Sequence, residues 1–169
     1  SITTSGDTEG TTGDGIFADN SSVGTSLTIN AADTTGGRFG IFAYNSGSGA
    51  LSITTTGTTT GGTGSLYDTG IYAFNGGSDL TINAATTTGG VNGIFAYNSG
   101  TGALSITTTG TTTGNRFDGS FANNSLAGTS LTINAATTTG YANGIFARNK
   151  GSGALSITTT GKTTGGTGH

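Results

Sequence analysis

One short motif, Gly-Ile-Phe-Ala-x-Asn, recurs six times along this chain with small variations, and repetition at that period leaves few folds open. Its copies begin at Gly15, Gly40, Gly70, Gly93, Gly119 and Gly144, at spacings of 25, 30, 23, 26 and 25 residues. A second motif, Leu-Ser/Thr-Ile, places its isoleucine at Ile29, Ile53, Ile82, Ile106, Ile133 and Ile157, with Ile2 as a partial copy. A third, usually Thr-Thr-Thr-Gly, ends at Gly36, Gly61, Gly89, Gly114 and Gly140. The isoleucine spacings alternate long and short, 27, 24, 29, 24, 27 and 24, so the larger unit is a pair of coils.

Each motif is short, rich in β-branched residues and bounded by Gly, Asn or Ser, which is the signature of a strand. No segment sustains a helical apolar period. Three short strands in about 25 residues make one turn of a parallel β-helix. The chain is therefore expected to be an all-β, right-handed parallel β-solenoid of about six to seven coils. At about 4.8 Å per coil it forms a rod roughly 30 Å long. The whole chain, 1–169, reads as one solenoid segment of a longer repeat array, because it opens and closes inside repeats.

Strand alternation sorts the side chains into inner and outer columns. In the first motif the x position holds Asp19, Tyr44, Phe74, Tyr97, Asn123 and Arg148. A core does not accept unpaired Asp and Arg, so the Ile and Ala positions face in. The Leu and Ile of the second motif, and the alternating Thr55, Ala84, Thr108 and Ala135, add further inner columns. The Asn that ends the first motif is present in every copy: Asn20, Asn45, Asn75, Asn98, Asn124 and Asn149. Stacked amides can hydrogen-bond along the rod, and these asparagines are expected to fix its turns.

The same parity places an aromatic column outside: Phe17, Phe42, Tyr72, Phe95, Phe121 and Phe146. Two readings are open for it. Either the rings serve one another, stacking to pin the register, or they form a sticky stripe for a partner. A second outer array is the Thr-x-Thr set Thr58 and Thr60, Thr86 and Thr88, Thr111 and Thr113, Thr137 and Thr139. It resembles the ice-binding faces of solenoid antifreeze proteins, and it is interrupted by charge at Asp7, Glu9, Asp33 and Lys162.

Composition narrows the chemistry. Thr and Gly supply 39 and 34 of 169 residues, Cys is absent, and the net charge is −3. The five basic residues are scattered singly, so a nucleic-acid backbone finds no basic stripe. No run of 18 apolar residues exists to insert in a membrane. The single histidine, His169, is terminal, so a histidine-assisted nucleophile is not expected. No metal-ligand cluster or phosphate loop is present, and the expectation is no cofactor, no metal and no catalysis. Asp7, Glu9 and Asp33 are the one acidic group that falls in neighbouring coils, and a polysaccharide-active enzyme would have to use it.

The segment Gly-Ile-Phe-Ala-Tyr-Asn-Ser-Gly-Ser-Gly-Ala-Leu-Ser-Ile-Thr-Thr-Thr-Gly, at 40–57 and again, with Thr101 for Ser48, at 93–110, resembles the repeats of bacterial autotransporter passenger domains. That resemblance covers essentially the whole chain. It implies a right-handed β-helical adhesin, extracellular or on the bacterial cell surface, exported through an outer-membrane barrel. Its partner would be a host or neighbouring-cell surface protein or glycan, with end-to-end self-association of coils as a further expectation. One position departs from the pattern: Thr59, Thr87, Thr112 and Thr138 stand where a core valine is expected.

Overall fold

The computed structural model describes residues 1–166, and His169 lies outside the described residues. The chain is all-β, a stack of parallel strands wound into a solenoid of about seven turns. The first coil contains β1 (Ile2–Thr3), β2 (Thr8–Gly10) and β3 (Ile16–Asn20); the second contains β4 (Leu27–Ala31), β5 (Thr34–Gly36) and β6 (Ile41–Asn45). Two strands then suffice per coil: β7 (Leu51–Thr60) with β8 (Ile71–Asn75), and β9 (Leu80–Gly89) with β10 (Ile94–Asn98). The pairs β11 (Leu104–Gly114) with β12 (Ser120–Asn124), and β13 (Leu131–Gly140) with β14 (Ile145–Asn149), follow in the same way. The last coil begins with β15 (Leu155–Thr159) and β16 (Thr163–Thr164).

The three segments expected per coil are thus present, but in the middle coils the second and third run on as one strand of 10 or 11 residues. They form a long face, ordered β1-β4-β7-β9-β11-β13-β15, opposite a short face ordered β14-β12-β10-β8-β6-β3. The register of the long face shifts between Thr55 and Thr58 and again between Thr108 and Thr111. Coils three and five carry one more residue in the strand, at Gly57 and Gly110, than the coils stacked on them. This extra residue is part of what makes the spacing alternate.

The interior follows the predicted parity. Ile29, Ile41, Leu51, Ile53, Ile71, Leu80, Ile82, Ile94, Leu104, Ile106, Leu131 and Ile133 are fully buried, and Ala43, Ala73, Ala96 and Ala122 complete the short-face columns. Each such Leu or Ile contributes on the order of 1.5–3 kcal/mol by leaving water.

The asparagines are also inside. Asn45, Asn75, Asn98 and Asn124 are 0 % exposed, because they share the parity of Ile and Ala. Their amides form an unbroken ladder in which each Nδ2 donates to the Oδ1 one coil on, at 2.7, 2.8, 2.9, 3.1 and 3.1 Å from Asn20 to Asn149. The second Nδ2 proton holds the following turn, as Asn45 does at the Gly49 carbonyl (3.0 Å) and Asn98 at the Gly102 carbonyl (3.2 Å). A buried polar column is tolerated because every rung is satisfied.

Candidate functional site

The outer side of the short face carries the aromatic column. Phe17, Phe42, Tyr72, Phe95, Phe121 and Phe146 stack with centroids 4.7–5.1 Å apart and planes within 4° of parallel. Parallel strands in register set this separation, and it suits offset ring contact. A second, shorter stack runs beside it through Tyr44, Phe74 and Tyr97, at 4.7 and 5.4 Å. Phe39 leans on Phe42 and Tyr72 at 5.3 and 5.4 Å and closes one flank. Because each interior ring lies between two others, its faces are occupied and only its edge meets solvent. The column itself therefore offers a partner little flat aromatic surface.

Val23 and Leu126 stand exposed at one corner, while exposed apolar side chains gather at the opposite corner, where the long face hands over to the short face. Leu66 (69 % exposed), Tyr67 (72 %), Phe117 (53 %) and Tyr141 (64 %) project there. Leu66, Asn115, Arg116, Phe117 and Tyr141 line an open hollow of about 300 Å³, and a smaller hollow of about 130 Å³ joins Leu66 and Tyr67 to the edges of Tyr72 and Phe95. The Arg116 guanidinium crosses the larger hollow to donate to the Ser65 carbonyl at 3.3 Å. These residues lie outside all three repeated motifs, so periodicity could not single them out. The only available signal was a set of large apolar side chains in Gly-rich linkers.

The corner is pinned by acidic side chains turned toward the backbone. Asp14 binds Arg38 through two hydrogen bonds, at 3.0 and 2.9 Å, and Arg38 lies over the Phe39 ring at 4.9 Å. The hydrogen bonds that Arg38 donates to Asp14 lead in raising the Arg38 pKa above its ordinary value. Asp118 accepts from the backbone and side-chain nitrogens of Asn143 at 3.2 and 2.8 Å. Asp68 accepts from the Ser65 N–H at 2.6 Å and so folds the longest corner loop back on itself.

The outer side of the long face is a sheet of hydroxyls and amides. The eight predicted threonines are exposed or half-buried there, with Thr58 opposite Thr86 and Thr111 opposite Thr137. The column through Thr60, Thr88, Thr113 and Thr139 extends further than expected, to Thr35 and Thr164. Two more polar columns lie alongside: Thr28, Ser52, Thr81, Ser105, Thr132 and Ser156, and Asn30, Thr54, Asn83, Thr107, Asn134 and Thr158. Neither of these columns contains a charge.

Asp7, Glu9 and Asp33 come together with Thr8 and Thr35 around an open hollow of about 350 Å³ at the first coils. One oxygen of Asp33 accepts the Thr58 N–H at 2.6 Å, so that carboxylate caps the next coil. Among the described residues there is no cluster of ligating side chains able to hold a metal ion. Comparison of the chain with known protein families, with curated proteins and with solved structures finds no match.

Proposed function

We propose that this chain is the structural and adhesive shaft of a secreted or surface-displayed protein of the bacterial autotransporter type, and that it performs no catalysis. The observation that carries this reading is the corner formed by Leu66, Tyr67, Phe117 and Tyr141, each more than half exposed and gathered around two adjoining hollows on a regular rod. Exposed large apolar groups clustered on a rigid scaffold are what a binding surface needs, since no ordering entropy is spent on the scaffold. The stacked rings beneath them hold the corner in place. A host or neighbouring-cell surface protein or glycan is the partner this reading requires. The test is adhesion of the purified chain to such surfaces before and after changing all four corner residues to Ser. Adhesion should drop at least tenfold with the melting temperature unchanged. Full retention of adhesion by the folded variant would overturn the reading.

The long face favours a second reading, ice binding. Its four outer columns are uncharged and hydroxyl- or amide-bearing through coils three to six, on strands paired on both sides. Thermal hysteresis abolished by changing Thr60, Thr88 and Thr113 to Lys would move this reading ahead of adhesion. Its absence in the parent chain disposes of it.

A further inference from the structure

Five threonines stand one above another inside the rod. Thr34, Thr59, Thr87, Thr112 and Thr138 pair in register on successive coils and are 0 % exposed. No Oγ1 of the five has a hydrogen-bond partner among the described residues. Thr55 Oγ1 and Ser120 Oγ are also buried without a partner. A folded core leaves few such groups, and a repeating set of them calls for a common explanation.

The rotamer repeats because the γ-methyl is committed. A Cβ built on Gly15, Gly40, Gly70, Gly93 or Gly119 would lie 2.5–2.7 Å from the Cγ2 of Thr34, Thr59, Thr87, Thr112 or Thr138 respectively. Each methyl thus packs on the glycine that opens the short-face strand, and each hydroxyl is left at the same place on its coil. The adjoining inner column is small as well, alternating Ala31, Thr55, Ala84, Thr108 and Ala135. At a coil spacing of about 4.8 Å, equivalent hydroxyls are too far apart to bond directly, since an O–H···O bond spans about 2.8 Å. The asparagine ladder succeeds at the same spacing because an amide carries its donor and acceptor on opposite branches.

A single oxygen placed between successive hydroxyls resolves the mismatch. Two bonds of about 2.8 Å span 4.8 Å with an angle near 118° at the bridging atom, close to the tetrahedral preference of water. Each threonine then donates to one bridge and accepts from the next. We infer that the core binds a file of waters along this column, one between each successive pair of these threonines. The site recurs with the coil, and its ligand is water held by two hydroxyls, the kind of polar, multiply bonded position where internal water is found. It also accounts for threonine at the place where a core valine is expected: valine would keep the methyl on glycine and remove the bridge.

Magnetic relaxation dispersion of water nuclei on the whole chain counts long-lived internal waters. The parent should show a slow population that falls by about four waters in the Thr59→Val, Thr87→Val, Thr112→Val triple variant, which touches all four bridges. The matching triple Ser variant, which keeps the hydroxyls, should retain it. If the triple Val chain does not fold, Thr87→Val alone should remove about two. A parent without slow water, or Val variants with an unchanged population, would overturn the inference.

Discussion

Asn45 donates from Nδ2 to the Oδ1 of Asn75 at 2.8 Å across 30 residues of chain, the longest coil interval in the rod. The next contact, from Asn75 to Asn98, spans only 23 residues at 2.9 Å. Coil length therefore varies without disturbing the ladder, and the variation is taken up at the corner and at the strand irregularities. The ladder acts as the register mark of the stack.

Replacing Asn75 with Ala should therefore cost more than replacing Asn20. Asn75 accepts from Asn45, donates to Asn98 and also holds the Ser78 and Asp79 carbonyls, at 3.1 and 3.0 Å. Asn20 makes one ladder contact and is only partly buried. A buried group left unsatisfied costs about 1–3 kcal/mol, and Asn75→Ala leaves several. We expect a loss of about 3 kcal/mol or more for Asn75→Ala and about 1 kcal/mol for Asn20→Ala, read from urea midpoints at constant slope.

The corner loop of the third coil should be dispensable for folding and not for binding. Eight residues separate Gly61 from Gly70, against three between Gly36 and Gly40 in the coil before. Removing Thr63 to Tyr67 shortens the 30-residue interval to 25, the length of its neighbour. Loop closure changes by less than about 1 kcal/mol for such a difference. Circular dichroism should show the same β content, with adhesion reduced because Leu66 and Tyr67 are gone. A deletion variant that unfolds would show that the loop, with its Asp68 contact to Ser65, helps hold the stack.

The solenoid and its inner columns were legible in the sequence because parity is strict: Ile41, Ala43 and Asn45 share one side, and Phe42 and Tyr44 share the other. Asparagine burial follows from that same parity, although its polarity points the reader toward the surface. The extra strand residue at Gly57 was not legible, since a longer coil spacing does not say whether the insertion lies in a strand or a turn. Nor was the corner: Tyr67, Phe117 and Tyr141 sit in linkers of different length and sequence, with no column to betray them. The aromatic column was legible as a ladder, but its usefulness to a partner depends on ring orientation, which only the parallel planes decide.

Glycine at the start of each short-face strand is a packing requirement, and a substitution series should show it. A Cβ at Gly93 would lie 2.7 Å from both the Thr112 methyl and the Gly119 carbonyl oxygen, whereas one at Gly64 meets nothing within 4 Å. Gly93→Ala should cost about 1–3 kcal/mol through overpacking. Gly64→Ala should be neutral or stabilise by up to about 1 kcal/mol, because it restricts the unfolded chain. Adding Thr112→Ser to Gly93→Ala should recover only part of the loss, since the backbone oxygen remains. Complete recovery in thermal melts would place the whole constraint on the methyl.

Tyr72 is the one phenol in the long aromatic stack, between Phe42 and Phe95, and desolvation by those surroundings, with a smaller push from Tyr44, raises its pKa. An unfolded tyrosine loses its proton near pH 10. Above that point the folded rod still holds the proton that the unfolded chain has released, so stability falls as pH rises through the interval between the two values. Below it, the group contributes nothing to the pH dependence. Tyr72→Phe should therefore match the parent within about 0.5 kcal/mol at about pH 8, since a half-buried hydroxyl on the outer side of the sheet is removed without opening a core cavity. At about pH 11 the variant should be the more stable of the two. Urea midpoints at both pH values check the sign, and a difference titration of phenolate absorbance should show the missing group ionising above the ordinary tyrosine range. Equal alkaline losses in parent and variant would mean that Tyr72 ionises as freely in the rod as in the unfolded chain, and that the stack does not desolvate its hydroxyl.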